Sequence, residues 1–205
     1  MGFYGDRVLP RVIDKVCGAK SSEPLRQRVC AAAYGDVVEL GFGSGLNVPH
    51  YPRAVTRLEA VEPNDVAWKL SARRRQASAL DVHRTARDAQ RLPFDDNHFD
   101  VAVSTWTMCT IPAIEVALLE LRRVLKPNGT LHFIEHGLAP DFKVQRWQHR
   151  FEPIQKRISG GCHLTRQIST LIEGAGFTLV EVERFYEEGA PRLLTAETLG
   201  IAVSN

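Results

Sequence analysis

The sequence predicts an α/β fold: a seven-stranded, mostly parallel sheet with helices on both faces and an antiparallel last strand. Three observations predict it. Short apolar runs alternate with helical stretches along the 205 residues, as in chains built from strand–helix–strand units. The first apolar run leads directly into a glycine-rich turn. The last two runs are joined by a loop at residues 189–191 without a helix between them, which predicts a hairpin at a sheet edge.

Each predicted strand is a short apolar run bounded by turn-forming residues. In chain order, the predicted strands are residues 37–40, 57–62, 81–85, 99–105, 130–135, 179–185 and 197–203.

The predicted helices have apolar residues at helical spacing, at residues 45–50, 66–77, 114–125 and 166–175. Region 14–33 is also predicted to be helical, apart from an interruption at residues 21–24. Pro112 precedes helix 114–125, and the Lys-Pro-Asn-Gly string that follows it is typical of a helix stop and a turn. A new strand is therefore predicted to begin at Thr130.

Length and composition predict one domain and exclude several classes of protein. A hydrophobic fraction of 44% is sufficient for a packed core in a chain of this length. The net charge of +2 is too small for a nucleic-acid-binding surface. The residues show no signal-peptide pattern, and no apolar run approaches the length of a membrane span, so neither a leader nor a spanning helix is predicted.

The cysteines predict a reducing, cytoplasmic environment. They are widely spaced and form no C-x-x-C pair, so the spacing indicates neither a disulfide framework nor a metal site. The four are Cys17, Cys30, Cys109 and Cys162.

The turn after the first strand, Gly41 to Gly45, is the most informative segment. Its three alternating glycines let a ligand approach the backbone closely. Glu62 ends the next apolar run about 20 residues later, where a carboxylate can accept the hydroxyl protons of a ribose. The alternative is a glycine-rich turn that binds no ligand.

The glycine spacing separates several nucleotide-binding motifs. A dinucleotide motif has G-x-G-x-x-G, but Leu46 occupies the position of its third glycine. No Gly-Lys-Ser/Thr follows, which excludes a P-loop. A carboxylate such as Glu39, just before the turn, would repel a pyrophosphate but suits a ligand that carries a cationic amino group.

The string from Glu39 to Gly45 resembles motif I of the class I S-adenosylmethionine-dependent methyltransferases. Motifs support this resemblance over roughly residues 34–135, and element order supports it over the remainder. It implies a Rossmann-like enzyme that uses S-adenosyl-L-methionine, releases S-adenosyl-L-homocysteine and methylates a small molecule. The residues that it places at the cofactor are Tyr4, Glu39, Gly41, Gly43, Gly45, Asn47, Glu62, Pro63, Asp88, Ala89, Ser104 and Thr105.

Several of these cofactor-site residues have an alternative role. Asn47 is predicted either to contact the cofactor or to cap a short helix, and Asp88 either to accept the adenine amine or to begin a short helix. The N-terminal segment 1–33 is predicted to be a lid that carries Tyr4 to the methionine carboxylate. Its alternatives are a helix packed on the core or a helix at a membrane surface.

Segments near the C-terminal half resemble a narrower group. Glu135-His136-Gly and the string from Gly161 to Arg166 are similar to the methyltransferase-like thiol S-methyltransferases of animals and to bacterial members of the methyltransferase type 11 group. Those animal proteins carry an N-terminal membrane anchor, whereas this chain begins Met1-Gly-Phe-Tyr. The resemblance therefore implies an enzyme without a stable membrane anchor, monomeric or homodimeric, with a thiol as the favoured acceptor.

The acceptor and its chemistry have alternatives at this stage. Quinone, phenol and lipid-type acceptors are possible, as is a scaffold that binds the cofactor without turnover. His136 is the candidate general base, with His163 as the second; either is also compatible with an ordinary surface histidine. Residues 136–166 are predicted to be an insertion that covers the substrate, and the predicted pocket residues are Trp106, Cys109, Trp147 and His163.

Overall fold

A seven-stranded sheet forms the centre of the computed structural model, which describes residues 2–205. The strands are β1 (Gly35–Leu40), β2 (Val55–Val61), β3 (Asp81–Ala86), β4 (Phe99–Thr105), β5 (Leu125–His136), β6 (Phe177–Tyr186) and β7 (Ala196–Ser204). Their order across the sheet is β3-β2-β1-β4-β5-β7-β6. Strand β7 is antiparallel to both of its neighbours, and the pairs from β3 to β5 are parallel. The predicted sheet and its antiparallel last strand are confirmed.

Helices surround this sheet. They are α1 (Leu9–Val16), α2 (Glu23–Cys30), α3 (Asp65–Leu70), α4 (Ala72–Gln76), α5 (Ile114–Val124), α6 (Phe142–Ile158) and α7 (Ile168–Gly174). A π-helical turn (Tyr4–Val8) precedes α1, and short 3-10 turns lie at Lys20–Ser22 and Val48–His50.

Two helix predictions are wrong in detail. The helix predicted at residues 66–77 is divided at Ser71, whose hydroxyl donates to the carbonyl of Trp68 at 2.6 Å and competes with the backbone pattern. The glycine turn leads into a 3-10 turn rather than a helix at residues 45–50, and Pro49 within it has no backbone N–H to donate.

Strand β5 begins earlier than predicted. Leu125 pairs with Phe99 and Thr130 with Val101, so the residues between Leu125 and Thr130 form an irregularity within the strand. Asn128 lies there with a φ of 63°, a left-handed conformation that asparagine tolerates. The Lys-Pro-Asn-Gly string therefore ends the helix as predicted, but it lies within the strand and does not precede it.

The buried side chains alternate between the two faces of the sheet. Val37 belongs to the apolar cluster on one face, together with Val29 of α2. Its neighbour Val38 belongs to the cluster on the other face, with Leu118 of α5 and Ile172 of α7. Because successive side chains of a strand point to opposite faces, both faces of the sheet are apolar and both are covered by helices. The loops at the carboxyl ends of the parallel strands are not covered in this way, and this is where ligands bind in such sheets.

The N-terminal segment and α6 lie next to each other. The Tyr4 hydroxyl donates to the carbonyl of Ile158 at 3.0 Å, at the end of α6. Asn64, after β2, donates to the carbonyl of Asp6 at 3.1 Å. The N-terminal segment therefore connects the loop after β2 with the insertion, as a lid would, although its predicted role as a lid stays a prediction.

Helix α6 is not among the predicted helices, and it carries one of the predicted pocket residues. Trp147 lies on an exposed apolar face of α6, with 60% of its surface accessible, and its place in an acceptor pocket stays a prediction. The other exposed apolar residues of this helix are Phe142, Phe151, Ile154 and Ile158. Within residues 2–205, no helix combines the length and apolar character needed to cross a membrane.

The contact between β6 and β7 depends on a glycine. A Cβ at Gly200 would overlap the carbonyl oxygen of Glu181 in β6 and approach the ring of Phe133 to 2.9 Å. We expect Gly200→Ala to lower the free energy of unfolding by about 1–3 kcal/mol through overpacking, as measured by chemical denaturation. Gly174→Ala is the matched control, because a Cβ there meets nothing within 4 Å. Equal stabilities for the two variants would contradict this account of the sheet.

Candidate functional site

The glycine turn after β1 is built for close approach. Gly41, Gly43 and Gly45 have φ values of 64°, 58° and 74°, which favour glycine. A Cβ at Gly41 would overlap Thr107 in the loop after β4. A Cβ at Gly43 would meet only the carbonyl oxygen of Gly41, at 3.7 Å. Gly41 therefore admits another loop of the protein, and Gly43 leaves open space in which a ligand fits against the backbone.

Glu62 joins the glycine turn to the loop after β2. It is 5% exposed, and its carboxylate accepts the N–H of Gly43 and the N–H of Asn64, both at 2.7 Å. Burial raises the pKa of Glu62, and the two amide donors oppose part of that effect. Each carboxylate oxygen has a second lone pair and can accept one more hydrogen bond. The contact with ribose hydroxyls is therefore compatible with these two bonds, and it stays a prediction.

Glu39 lies at the centre of a buried polar network. Its two oxygens accept from Asn47 Nδ2 at 2.9 Å and from the Tyr51 hydroxyl at 2.7 Å. Asn47 is fully buried and its side chain makes no helix-capping bond, so the capping alternative is wrong. Its amide also donates to Thr105 Oγ1 at 3.0 Å. Glu39 therefore fixes the position of Asn47, which in turn is hydrogen-bonded to Thr105. The direct contact of Glu39 with the cofactor stays a prediction.

Arg26 completes this network and was not predicted. It is buried in α2, where its guanidinium donates to Asn47 Oδ1 at 2.7 Å and to the carbonyl of Cys17 at 3.0 Å. The guanidinium carbon lies 4.7 Å from the centre of the Trp106 ring. Burial lowers the pKa of Arg26, but an arginine stays charged, so this residue places a cation beside Glu39. Nothing in the local sequence of α2 distinguishes Arg26 from a surface arginine.

Two of the residues predicted at the adenosine, Pro63 and Asp88, are exposed. Pro63 is exposed and lines a cleft of about 660 Å³ between the N-terminal segment and the loop after β2. Asp88 is exposed, and its carboxylate accepts from the backbone N–H of Gln90 at 2.9 Å. This segment forms a turn, so Asp88 caps no helix. Ala89 beside it is buried, and the adenine contacts predicted for both stay predictions.

A second buried glutamate organises the loop after β4. Glu135 of β5 accepts from Ser104 Oγ at 2.7 Å and from the backbone N–H groups of Thr107 at 3.0 Å and Cys109 at 3.3 Å. Burial raises the pKa of Glu135 to about 7, against the effect of these donors. Trp106, in the same loop, has a φ of 50°, which is strained for a bulky residue. Such an outlier at a strand end is typical of a functional loop.

His136, at the end of β5, lies among acidic and sulfur side chains. Its Nε2 atom is 3.0 Å from Glu197 Oε1, while Glu197 Oε2 accepts from the indole of Trp106 at 3.1 Å. Atoms of Cys109, His136 and Cys162 that can bind a metal lie within 4.8 Å of one another. Cys109 and Cys162, which are far apart in the sequence, are therefore neighbours in the fold, because folding brings distant segments together.

The charge of His136 bears on its predicted role. Burial alone would lower its pKa, but the carboxylate of Glu197 and the neighbouring Cys162 raise that pKa well above its ordinary value. The pKa of Cys162 is correspondingly lowered by its hydrogen bonds with Cys109 and His136. A protonated imidazole cannot accept a proton, which argues against His136 as a general base.

His163, the second candidate base, faces α6. Its Nδ1 atom lies 3.1 Å from Glu152 Oε1, and its backbone N–H donates to the carbonyl of Cys109 at 2.9 Å. The imidazole of His163 therefore makes a polar contact with α6, and the backbone of His163 is hydrogen-bonded to the loop after β4.

Comparison with known proteins agrees with this arrangement. A family model described as a methyltransferase domain matches residues 38–133. The chain is 35% identical over 151 residues to thiol S-methyltransferase TMT1B of Rattus norvegicus, covering 72% of this chain and 62% of that protein. It is 32% identical over 144 residues to phosphatidylethanolamine N-methyltransferase of Cereibacter sphaeroides, covering 65% of this chain and 69% of that protein. The chain belongs to the class I S-adenosylmethionine-dependent methyltransferases.

Solved structures show the same fold for this methyltransferase. The methyltransferase in complex with the Trm112 activator of Haloferax volcanii has a TM-score of 0.73 and 16% identity, covering 98% of this chain and 96% of that chain. A methyltransferase from Thermotoga maritima has a TM-score of 0.68 and 19% identity, covering 98% and 100%. The match to TMT1B spans 62% of that relative's length, so similarity of the whole proteins is not implied.

The ionisation of Glu39 in this methyltransferase makes its stability depend on pH. Burial raises the pKa of Glu39 to about 7, although bonds from Tyr51 and Asn47 oppose the effect. In the unfolded chain the carboxyl ionises near 4.5, so rising pH favours the unfolded state between these two values. We expect the free energy of unfolding of the wild type, relative to Glu39→Gln, to fall by about 3 kcal/mol across this range.

Chemical denaturation at a series of pH values measures this difference. Glu173→Gln is the control, because Glu173 is exposed on α7, and its stability profile should run parallel to that of the wild type. If the profile of Glu39→Gln also runs parallel, Glu39 does not titrate in the buried network.

Proposed function

We propose that this methyltransferase methylates small, apolar thiols. The observation that carries the proposal is the 35% identity to a thiol S-methyltransferase over 72% of the chain. Its geometry supports an enclosed acceptor side, since Cys109 and Cys162 are buried beside His136 and Trp106. The sulfur atoms of the two cysteines and the indole of Trp106 suit a polarizable acceptor.

We infer that the cofactor binds along the carboxyl ends of β1, β2 and β4. Gly43 would receive it against the backbone, Glu62 would accept from the ribose, and Asp88 with Ala89 would contact the adenine. When bound, S-adenosyl-L-methionine supplies an electrophilic methyl group on a sulfonium. The protein therefore has to position two reactants and exclude water.

The remaining cofactor-side residues would act around this core. Arg26 holds Asn47, and Asn47 holds Glu39, so a single buried network fixes the turn on which the methionine part would lie. Tyr4 is bonded to Ile158, and we infer that it closes the lid rather than contacting the cofactor in this arrangement. Ser104 and Thr105 are buried at the end of β4, between the two proposed ligands.

A thiol acceptor is consistent with the state of His136. Thiols ionise at pH values only about one or two units above neutrality, so a protein needs to assist their deprotonation less than that of an alcohol. Burial lowers the pKa of His136, but Glu197 and Cys162 raise it well above its ordinary value, and a raised pKa makes the ring less available as a base. Positioning alone is therefore a sufficient task for the residues around a thiol.

A second candidate is methylation of a lipid amine. It is favoured by the 32% identity to phosphatidylethanolamine N-methyltransferase and by the exposed apolar faces of α1 and α6. An amine with a high pKa would require a base, and the raised pKa of His136 disfavours the neutral imidazole that could act as one. The thiol is therefore the preferred acceptor.

Incubation with methyl-labelled S-adenosyl-L-methionine and three acceptor classes tests the proposal. The classes are alkyl and aryl thiols, phenols, and phosphatidylethanolamine in vesicles. We expect label in the thiol products and at most trace label in the others, with Glu173→Gln behaving as the wild type. Preferential labelling of the lipid would establish the second candidate, and cofactor binding without any labelled product would indicate a scaffold.

Glu62 tests the cofactor site separately. Replacement by alanine removes the proposed ribose acceptor and leaves the N–H of Gly43 unpaired. We expect Glu62→Ala to weaken binding of S-adenosyl-L-methionine by about 1–3 kcal/mol, as measured by calorimetry. Glu173→Ala, which removes an exposed carboxylate, should bind as the wild type does. An unchanged affinity in Glu62→Ala would place the ribose elsewhere.

A further inference from the structure

Three side chains with metal-binding atoms converge from three separate segments. Cys109 follows β4, His136 ends β5, and Cys162 follows α6. Their ligand atoms lie within 4.8 Å of one another, and both cysteines are buried. Two thiolates and an imidazole are the atoms that structural and catalytic zinc sites use most.

A fourth side chain points to a missing partner. Glu197 is 2% exposed, and its Oε2 atom is occupied by the indole of Trp106. Its Oε1 atom lies 3.0 Å from His136 Nε2 but has no hydrogen-bond partner. A buried carboxylate oxygen without a partner is costly. Glu197 is outside the group of three clustered ligand atoms and lies against the ring of His136, which is the position of the outer carboxylate that orients a metal-bound histidine.

The surrounding backbone holds these residues in place. The N–H of Cys109 donates to Glu135, and the N–H of His163 donates to the carbonyl of Cys109 at 2.9 Å. Arg166 donates to the carbonyl of Ile111 at 2.6 Å, and its own carbonyl accepts from Leu138 at 2.8 Å. The loop after β4, the end of β5 and the segment after α6 are thus tied together independently of the cluster, which makes a preorganised site.

We propose that Cys109, His136 and Cys162 bind a Zn²⁺ ion, with Glu197 orienting the ring of His136. Tetrahedral zinc keeps its ligand atoms roughly 3.3–3.8 Å apart, so contraction of the cluster by on the order of 1 Å is sufficient, and the fourth position stays open. The two cysteines bind as thiolates and His136 binds as a neutral imidazole, so the protons that these groups carry pass to solvent when the metal enters. The ion connects the end of β5 with the segment after α6 and with the loop that carries Trp106, and so fixes the wall of the proposed acceptor pocket.

Metal content is the first test, on the full chain expressed with added zinc and purified without a metal-affinity column. We expect about one zinc per chain by mass spectrometry, as a single cluster of two cysteines and a histidine predicts. Cys30→Ala is the matched control, because Cys30 is buried outside the cluster and should retain the zinc. Glu197→Gln should lower zinc affinity by about 10- to 100-fold or more, and Cys162→Ser should lose the metal.

Cobalt substitution tests the same site without a variant that has to fold. The wild-type protein is stripped with a chelator and titrated with Co²⁺ alone. We expect intense visible bands of tetrahedral cobalt and a thiolate-to-cobalt band in the near ultraviolet, saturating at about one equivalent. Both bands should persist in Cys30→Ala.

Two results would overturn the proposal. One is a protein with no zinc, no cobalt bands and free Cys109 and Cys162 thiols, which would indicate a metal-free thiolate–imidazole pair. The other is a disulfide between Cys109 and Cys162, detected by mass spectrometry of the freshly purified protein. Neither measurement uses an acceptor or turnover. Failure of the zinc proposal is therefore distinguishable from failure of the proposed thiol activity.

Discussion

Buried carboxylates hold the carboxyl edge of the sheet together. Parallel strands end side by side at this edge, and each is followed by a loop whose backbone N–H groups lack partners within the sheet. Glu62 and Glu135 accept hydrogen bonds from such N–H groups. Glu39 accepts hydrogen bonds from two side chains of the loop after β1, those of Asn47 and Tyr51. Removing these acceptors would leave donors unpaired in the loops after β1, β2 and β4.

This arrangement sets burial against charge. Burial raises the pKa values of Glu39 and Glu135 to about 7, so neither carboxylate is stabilised as a fixed charge at neutral pH. Arg26 and the loop donors restore part of the lost solvation. Burying these carboxylates therefore lowers the stability of the fold while it keeps acidic groups and closely spaced loops in one region. Such a cost is typical of functional sites.

Much of the sheet could be predicted from the sequence because its signals are local. The strand β4 has the bounds that its apolar run predicts, and the glycine turn has the positive φ values that its spacing requires. The site is different in kind. Arg26, Glu197 and the approach of Cys109 to Cys162 depend on contacts between distant segments, which periodicity and motif spacing do not encode. The exposure of Trp147 could not be predicted for the same reason, because the orientation of α6 depends on its tertiary contacts.

Gly41 shows what a sequence motif records. The space that its missing side chain leaves is occupied by Thr107, from the loop that faces the proposed acceptor. A residue of the cofactor motif is therefore also a joint between the two halves of the reaction site. A variant at this position would displace the acceptor loop as well as the turn, so its loss of activity would report a change in both ligands' surroundings. The glycine at position 41 is thus required by the packing of the loop on the acceptor side, although it belongs to the motif that predicts the cofactor.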